Sequence, residues 1–96
     1  MYVLITYDVN TSSINGQRRL RKVAKCCLNY GQRVQNSVFE CFITESQLIE
    51  LKANLQSIIN TSNDSIRIYK LGKNPSYKIE CIGVNTAYNP EGELII

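Results

Sequence analysis

Asp8 closes an otherwise apolar run, Met1-Tyr2-Val3-Leu4-Ile5-Thr6-Tyr7-Asp8-Val9. Strand-forming sequence is poor in aspartate, and a carboxylate taken out of water needs a charge partner, hydrogen bonds or a metal. The next acidic residue is Glu40, and the interval holds six basic ones: Arg18, Arg19, Arg21, Lys22, Lys25 and Arg33. One carboxylate beside a block of positive charge points to a metal and a phosphate. Mg²⁺ fits, because this hard cation takes oxygen ligands and often uses one or two carboxylates plus substrate phosphates. The competing explanation is local, since an Asp at a strand end can cap the following loop through its side-chain oxygens. Composition alone leaves both open. A single carboxylate is a thin donor set, but in a twofold dimer Asp8 of both chains could converge on the axis.

The basic block has its own geometry. On a helix over about 17–30, with 100° per residue, Leu20, Val23, Ala24 and Cys27 share one face. Arg18, Arg21, Lys22 and Lys25 share the opposite one, and Arg19 lies on the flank. Charged helix faces are usually just solvated. This one has no Asp or Glu for i,i+4 pairing, so its charges repel one another. With Arg19 and Arg33 added it becomes a candidate phosphate surface, because guanidinium forks match phosphate geometry.

Gln35-Asn36-Ser37-Val38-Phe39-Glu40 is the third segment with chemical content. Ser37 lacks any histidine to activate it as a nucleophile, so a phosphate or metal-water contact is the more modest reading. Phe39 could stack on a base, or be an ordinary core residue. Glu40 is a possible second carboxylate or a solvent-facing strand residue. No GxGxxG or GxxxxGK[ST] phosphate loop occurs.

These residues belong to a chain of 96 with 44% hydrophobic and 20% charged residues and a net charge of +3. That is one globular domain, small enough for dimerisation to help it. The four cysteines, Cys26, Cys27, Cys41 and Cys81, form no CxxC pair and there is no histidine, which argues against zinc. They read as reduced core or near-core thiols of a cytoplasmic protein. The N-terminus lacks the features of a signal peptide, and no stretch is long enough to span a membrane.

The elements that must position these groups follow from periodicity. Residues 2–9 read as a buried strand, 10–16 as a loop, and 17–30 as a helix capped by Gly31. A short strand near 33–36 and a longer one near 38–43 follow. Thr44-Glu45-Ser46-Gln47 is a capping box that opens a second helix to about Asn60, with Leu48, Leu51, Leu55, Ile58 and Ile59 on its core face. Thr61–Ser65 is a polar loop, and Ile66–Leu71 alternates apolar and basic residues as a half-solvated strand does. Lys78–Ile82 reads as a short fifth strand. The domain thus spans 1–83, with a tail over 84–96. The order is the α+β, ferredoxin-like βαββαβ plan. Its uncovered sheet face invites a second subunit, onto whose sheet edge the extra C-terminal strand could dock.

In order and spacing, several of these pieces resemble a known family. They are Tyr7-Asp8-Val9, Arg18-Arg19, Tyr30-Gly31 with Arg33-Val34-Gln35, Ser37-Val38-Phe39-Glu40, and Ser65-Ile66-Arg67-Ile68-Tyr69 with Leu71-Gly72. The family is the CRISPR-associated small adaptation proteins, also called CRISPR-associated endoribonucleases, the second of the two core spacer-acquisition proteins. The ending Glu91-Gly92-Glu93-Leu94-Ile95-Ile96 looks like the type I-C branch. The resemblance implies a ferredoxin-like homodimer with C-terminal strands exchanged between subunits. It implies Mg²⁺-dependent endonuclease activity on single-stranded RNA or duplex DNA, and partnership with the CRISPR integrase subunit. The metal aspartate of the family falls on Asp8, its functional arginines on Arg18 or Arg19 and Arg33, and its strand Ser and Phe on Ser37 and Phe39. A non-catalytic DNA-binding scaffold of the integrase complex is the alternative. An RRM-like or small-molecule regulatory domain on the same plan is a distant third.

Overall fold

The computed structural model describes residues 1–73 and 79–83. Four strands and two helices alternate as β1 (Tyr2–Asp8), α1 (Ile14–Leu28), β2 (Gly31–Gln35), β3 (Val38–Phe42), α2 (Glu45–Ile58) and β4 (Ser65–Gly72). The sheet order is β2-β3-β1-β4 with every pair antiparallel. This is the expected α+β ferredoxin-like plan, in which β3 inserts between β1 and β2.

Period-two alternation divides β1 between two faces. Val3, Ile5 and Tyr7 are buried under the helices with Phe39 and Cys41 of β3. Tyr2, Leu4, Thr6 and Asp8 point to the other face, and their partners there are Phe42, Glu40 and Val38 on β3 and Tyr69, Arg67 and Ser65 on β4. No helix lies on this face among the described residues. The strand expected to be buried is thus buried on its helix-facing side, while its other side is only partly covered. Leu4 and Thr6 are half-buried and Asp8 is exposed.

α1 starts three residues before the expected boundary because Ser13 is its N-cap, accepting from the Gly16 amide at 3.0 Å. Its core face is the expected one, with Leu20, Val23, Ala24 and Cys27 buried. Gly31 does not cap it. Asn29 is the C-cap, and Gly31 opens β2, where a Cβ would lie 2.0 Å from the Glu40 carbonyl oxygen. The glycine serves the close approach of two strands. The capping box of α2 is present on both sides: the Gln47 amide donates to Thr44 Oγ1 at 3.2 Å, and the Thr44 amide donates to Gln47 Oε1 at 2.9 Å. Leu48, Leu51 and Leu55 are buried, while Ile58 and Ile59 are half-buried.

All four cysteines are free thiols. Cys27 and Cys41 are fully buried, and Cys26 is half-buried. Cys81 is exposed, contrary to the near-core reading. Residues 79–82 take no strand pairing within the subunit. Lys78, the other end of the expected fifth strand, and the tail over 84–96 lie outside the described residues. No helix among the described residues is long and apolar enough to cross a membrane.

Candidate functional site

Asp8 occupies the last register pair between β1 and β4, opposite Ser65. Its carboxylate is exposed and has no hydrogen bond or ion pair among the described residues. The capping work that could have explained it is done by its neighbours. Asn10 Oδ1 accepts from the Ser12 amide at 3.0 Å and from Ser12 Oγ at 2.6 Å. Ser13 Oγ caps α1. The local explanation of Asp8 is thus not realised.

Immediately behind Asp8, on the helix side of the sheet, lies a buried polar cluster. The Tyr7 hydroxyl donates to Asp64 Oδ2 at 2.5 Å. Arg19 grips the same carboxylate through two donors, Nε to Oδ2 at 2.7 Å and Nη2 to Oδ1 at 3.1 Å. The Asn60 amide donates to Oδ2 at 3.1 Å. Burial pulls the Asp64 carboxyl upward, but the Arg19, Tyr7 and Asn60 hydrogen bonds outweigh it and hold the group below the usual carboxylate range. Burial, with the Asp64 carboxylate beside it, pushes the Tyr7 phenol up to about 12. Among the described residues Asp64 is the single charged residue that is buried.

In the sequence Asp64 is only part of a polar loop. A signal did exist: a Tyr on the buried face of β1 needs a partner for its hydroxyl. On the βαββαβ plan the residue before β4 falls beside the end of β1. Neither fact is visible from composition around Asp64 itself.

The other expected site residues fall into three groups. Ser37 belongs to the Asp8 end of the sheet, since the Tyr7 amide donates to its carbonyl at 2.9 Å. Arg33 is exposed, its Nε donates to the Asn36 carbonyl at 2.7 Å across the β2–β3 turn, and its guanidinium lies 5.6 Å from the Phe39 ring centroid. Phe39 corrects an expectation. It is 0% exposed at the centre of the core, so its ring cannot stack on a base in this subunit. Glu40 points to the open face opposite Leu4, four residues from Asp8 along β1 and thus about 13 Å away. Within one subunit that separation is too large for Glu40 and Asp8 to share one ion. Partial burial pushes its carboxyl above the usual range.

Arg18, Arg21, Lys22 and Lys25 are all exposed on α1, and none has an ion pair among the described residues. Arg19 stands apart from them, with Asp64 filling its fork. The two adjacent arginines therefore face different environments, which the helical wheel alone did not separate.

Comparison with known proteins places the chain in a family. The profile of CRISPR associated protein Cas2 matches residues 1–79. The CRISPR-associated endonuclease Cas2 of Halalkalibacterium halodurans is 58% identical over 95 residues, covering 99% of each chain. The CRISPR-associated endoribonuclease Cas2 of Nitratidesulfovibrio vulgaris is 50% identical over 96 residues, covering 100% of this chain and 94% of its own. The crystal structure of Streptococcus pyogenes Cas2 at pH 6.5 superposes with a TM-score of 0.83 and 54% identity, over 86% of this chain and 100% of that one. With such a match in sequence and in fold, the chain belongs to the Cas2 family.

Proposed function

We propose that this chain is a Mg²⁺-dependent endonuclease acting on RNA or duplex DNA as a homodimer in CRISPR spacer acquisition. The observation that carries the proposal is the Asp8 carboxylate, exposed at a strand end and relieved of every capping duty by Asn10 and Ser13. The names of the relatives above, endonuclease and endoribonuclease, support hydrolysis as the reaction class. The integrase subunit as partner rests on the resemblance of the sequence motifs, and the cytoplasm as compartment on the cysteines, which are free thiols.

The donor set suits a hard cation that keeps most of its water. No group of three or more His, Cys, Asp or Glu side chains stands together among the described residues. Asp8 of a second subunit, water and substrate phosphate would complete the shell. When bound, such an ion supplies polarisation of the phosphate and a lowered pKa for its water. Asp8 would hold it, the hydroxyl of Ser37, whose carbonyl accepts from the Tyr7 amide, would orient a water or phosphate oxygen, and Arg18, Arg21, Lys22 and Lys25 with Arg33 would hold the backbone of the nucleic acid. The second subunit has a surface to cover. The open face carries the Tyr2–Phe42 ring pair, centroids 4.7 Å apart, with Leu4, Val38 and Tyr69, and Phe42 is 53% exposed.

The test compares wild type with Asp8→Asn on duplex DNA and on single-stranded RNA, with Mg²⁺ and with chelator. Cleavage should fall by roughly 100-fold or more while binding stays within about threefold. Unchanged cleavage overturns the proposal.

One observation favours a second reading, a non-catalytic scaffold that holds DNA: Arg18, Arg21, Lys22 and Lys25 of α1 are exposed and have no ion pair among the described residues. On that reading Arg18→Ala with Arg21→Ala weakens binding at every sequence and lowers the salt slope by about one unit per lost phosphate contact. Hydrolysis would be absent from wild type.

A further inference from the structure

The buried cluster behind Asp8 joins three elements at one point. Tyr7 precedes Asp8 on β1, Asp64 precedes Ser65 on β4, and Asp8 and Ser65 are each other's register partners. The Tyr7–Asp64 hydrogen bond therefore fastens both strands one residue from the pair that presents Asp8. Arg19 ties the same carboxylate to the second turn of α1. Terminal ladder pairs on an edge strand open at low free-energy cost unless something holds them, and β4 is an edge. The alternative use of Arg19, a phosphate contact, conflicts with a guanidinium already engaged through two nitrogens.

We propose that Asp64 is a positioning residue: with Tyr7 and Arg19 it clamps the open end of the β1–β4 pair and fixes where Asp8 presents its carboxylate. Arg19 is then a support of the site and not one of its phosphate contacts. The link to cleavage rests on Asp8 being the metal ligand; the clamp itself does not.

Three readouts on the full chain test this, using Asp64→Asn, Tyr7→Phe, Arg19→Ala and Arg19→Lys. The first is amide hydrogen exchange without metal. Asp64→Asn should speed exchange at the Asp8–Ser65 end of the ladder by about tenfold or more, and leave the β2–β3 amides within about twofold. The second is kinetics: kcat should fall by roughly tenfold with KM within about twofold. Arg19→Lys, which keeps the charge but not the fork, should not rescue the kcat lost in Arg19→Ala. The third is the salt dependence of DNA binding, in which Arg19→Ala keeps the wild-type slope while Arg18→Ala loses about one unit.

Uniform acceleration of exchange across the sheet, or a reduced salt slope in Arg19→Ala, overturns the clamp. If Asp64→Asn fails to fold, Tyr7→Phe decides, with the same local pattern at about two- to fivefold amplitude. Asp8→Asn separates the two ideas. Should it cleave normally, the metal reading falls and exchange with salt slope still judge the clamp. Should it abolish cleavage while Asp64→Asn leaves kcat intact, the metal reading stands and the positioning role is overturned.

Discussion

Asp8 and Asp64 flank the same pair of strand ends, and the fold treats them in opposite ways. One points to the open face with no partner among the described residues. The other is buried with four hydrogen bonds on its two oxygens. Residue type alone flagged Asp8, because an acid after seven strand-forming residues breaks a local pattern. Asp64 gives no such signal, because its side-chain partners, Tyr7 and Arg19, are 57 and 45 positions away in the chain. Its titration predicts a specific acid response. The folded-state pKa is depressed, so its contribution to stability is complete above the unfolded value of about 3.9. It is lost as pH falls through the folded value. Denaturant titrations between pH 7 and pH 2 should therefore show a loss of stability below about pH 4 in wild type that is smaller in Asp64→Asn. Equal acid sensitivity in both would count against this assignment.

Element boundaries were legible where side chains close them locally. The Thr44–Gln47 box fixed the start of α2 because both of its hydrogen bonds run between neighbours. Thr44→Ala should cost about 1 kcal/mol, read as a shift in denaturation midpoint at constant m-value. Leu51, fully buried on that helix, should cost about 2–5 kcal/mol when cut to Ala. Gly31 shows the converse. Its requirement comes from β3 across the sheet, and no helix-ending signal could reveal it. Gly31→Ala drives a methyl group against the Glu40 carbonyl oxygen, and is expected to cost about 1–3 kcal/mol. Hydrogen exchange should show the damage concentrated at the Gly31 end of β2–β3.

At the scale of the molecule, the order of elements announces both the α+β plan and its uncovered sheet face, while the structure adds which residues line that face, Leu4, Val38, Phe42 and Tyr69 among them. Phe42→Glu should leave the subunit folded and abolish a dimer formed through that face, which light scattering at micromolar concentration would detect. A dimer unaffected by the charge would place the interface elsewhere. Glu40 sits on the same face with its carboxyl pushed up by burial. The sign is opposite to that of Asp64: its charge costs stability once pH rises through the raised folded value. Glu40→Gln should accordingly raise the melting temperature at pH 7, with the gain shrinking as pH approaches 4.

Asn10 and Ser13 supply side-chain hydrogen bonds of the loop after β1, and Asp8 has no side-chain partner among the described residues, so loss of its carboxylate would leave the fold intact and escape cellular quality control. A chain with Asn at this position should accumulate as well as the normal one and mix freely with it. If two copies share one site, equal expression leaves about a quarter of the pairs wholly normal. Such an allele would behave as dominant-negative in a cell carrying both, whereas a destabilising lesion such as Leu51→Ala would be recessive.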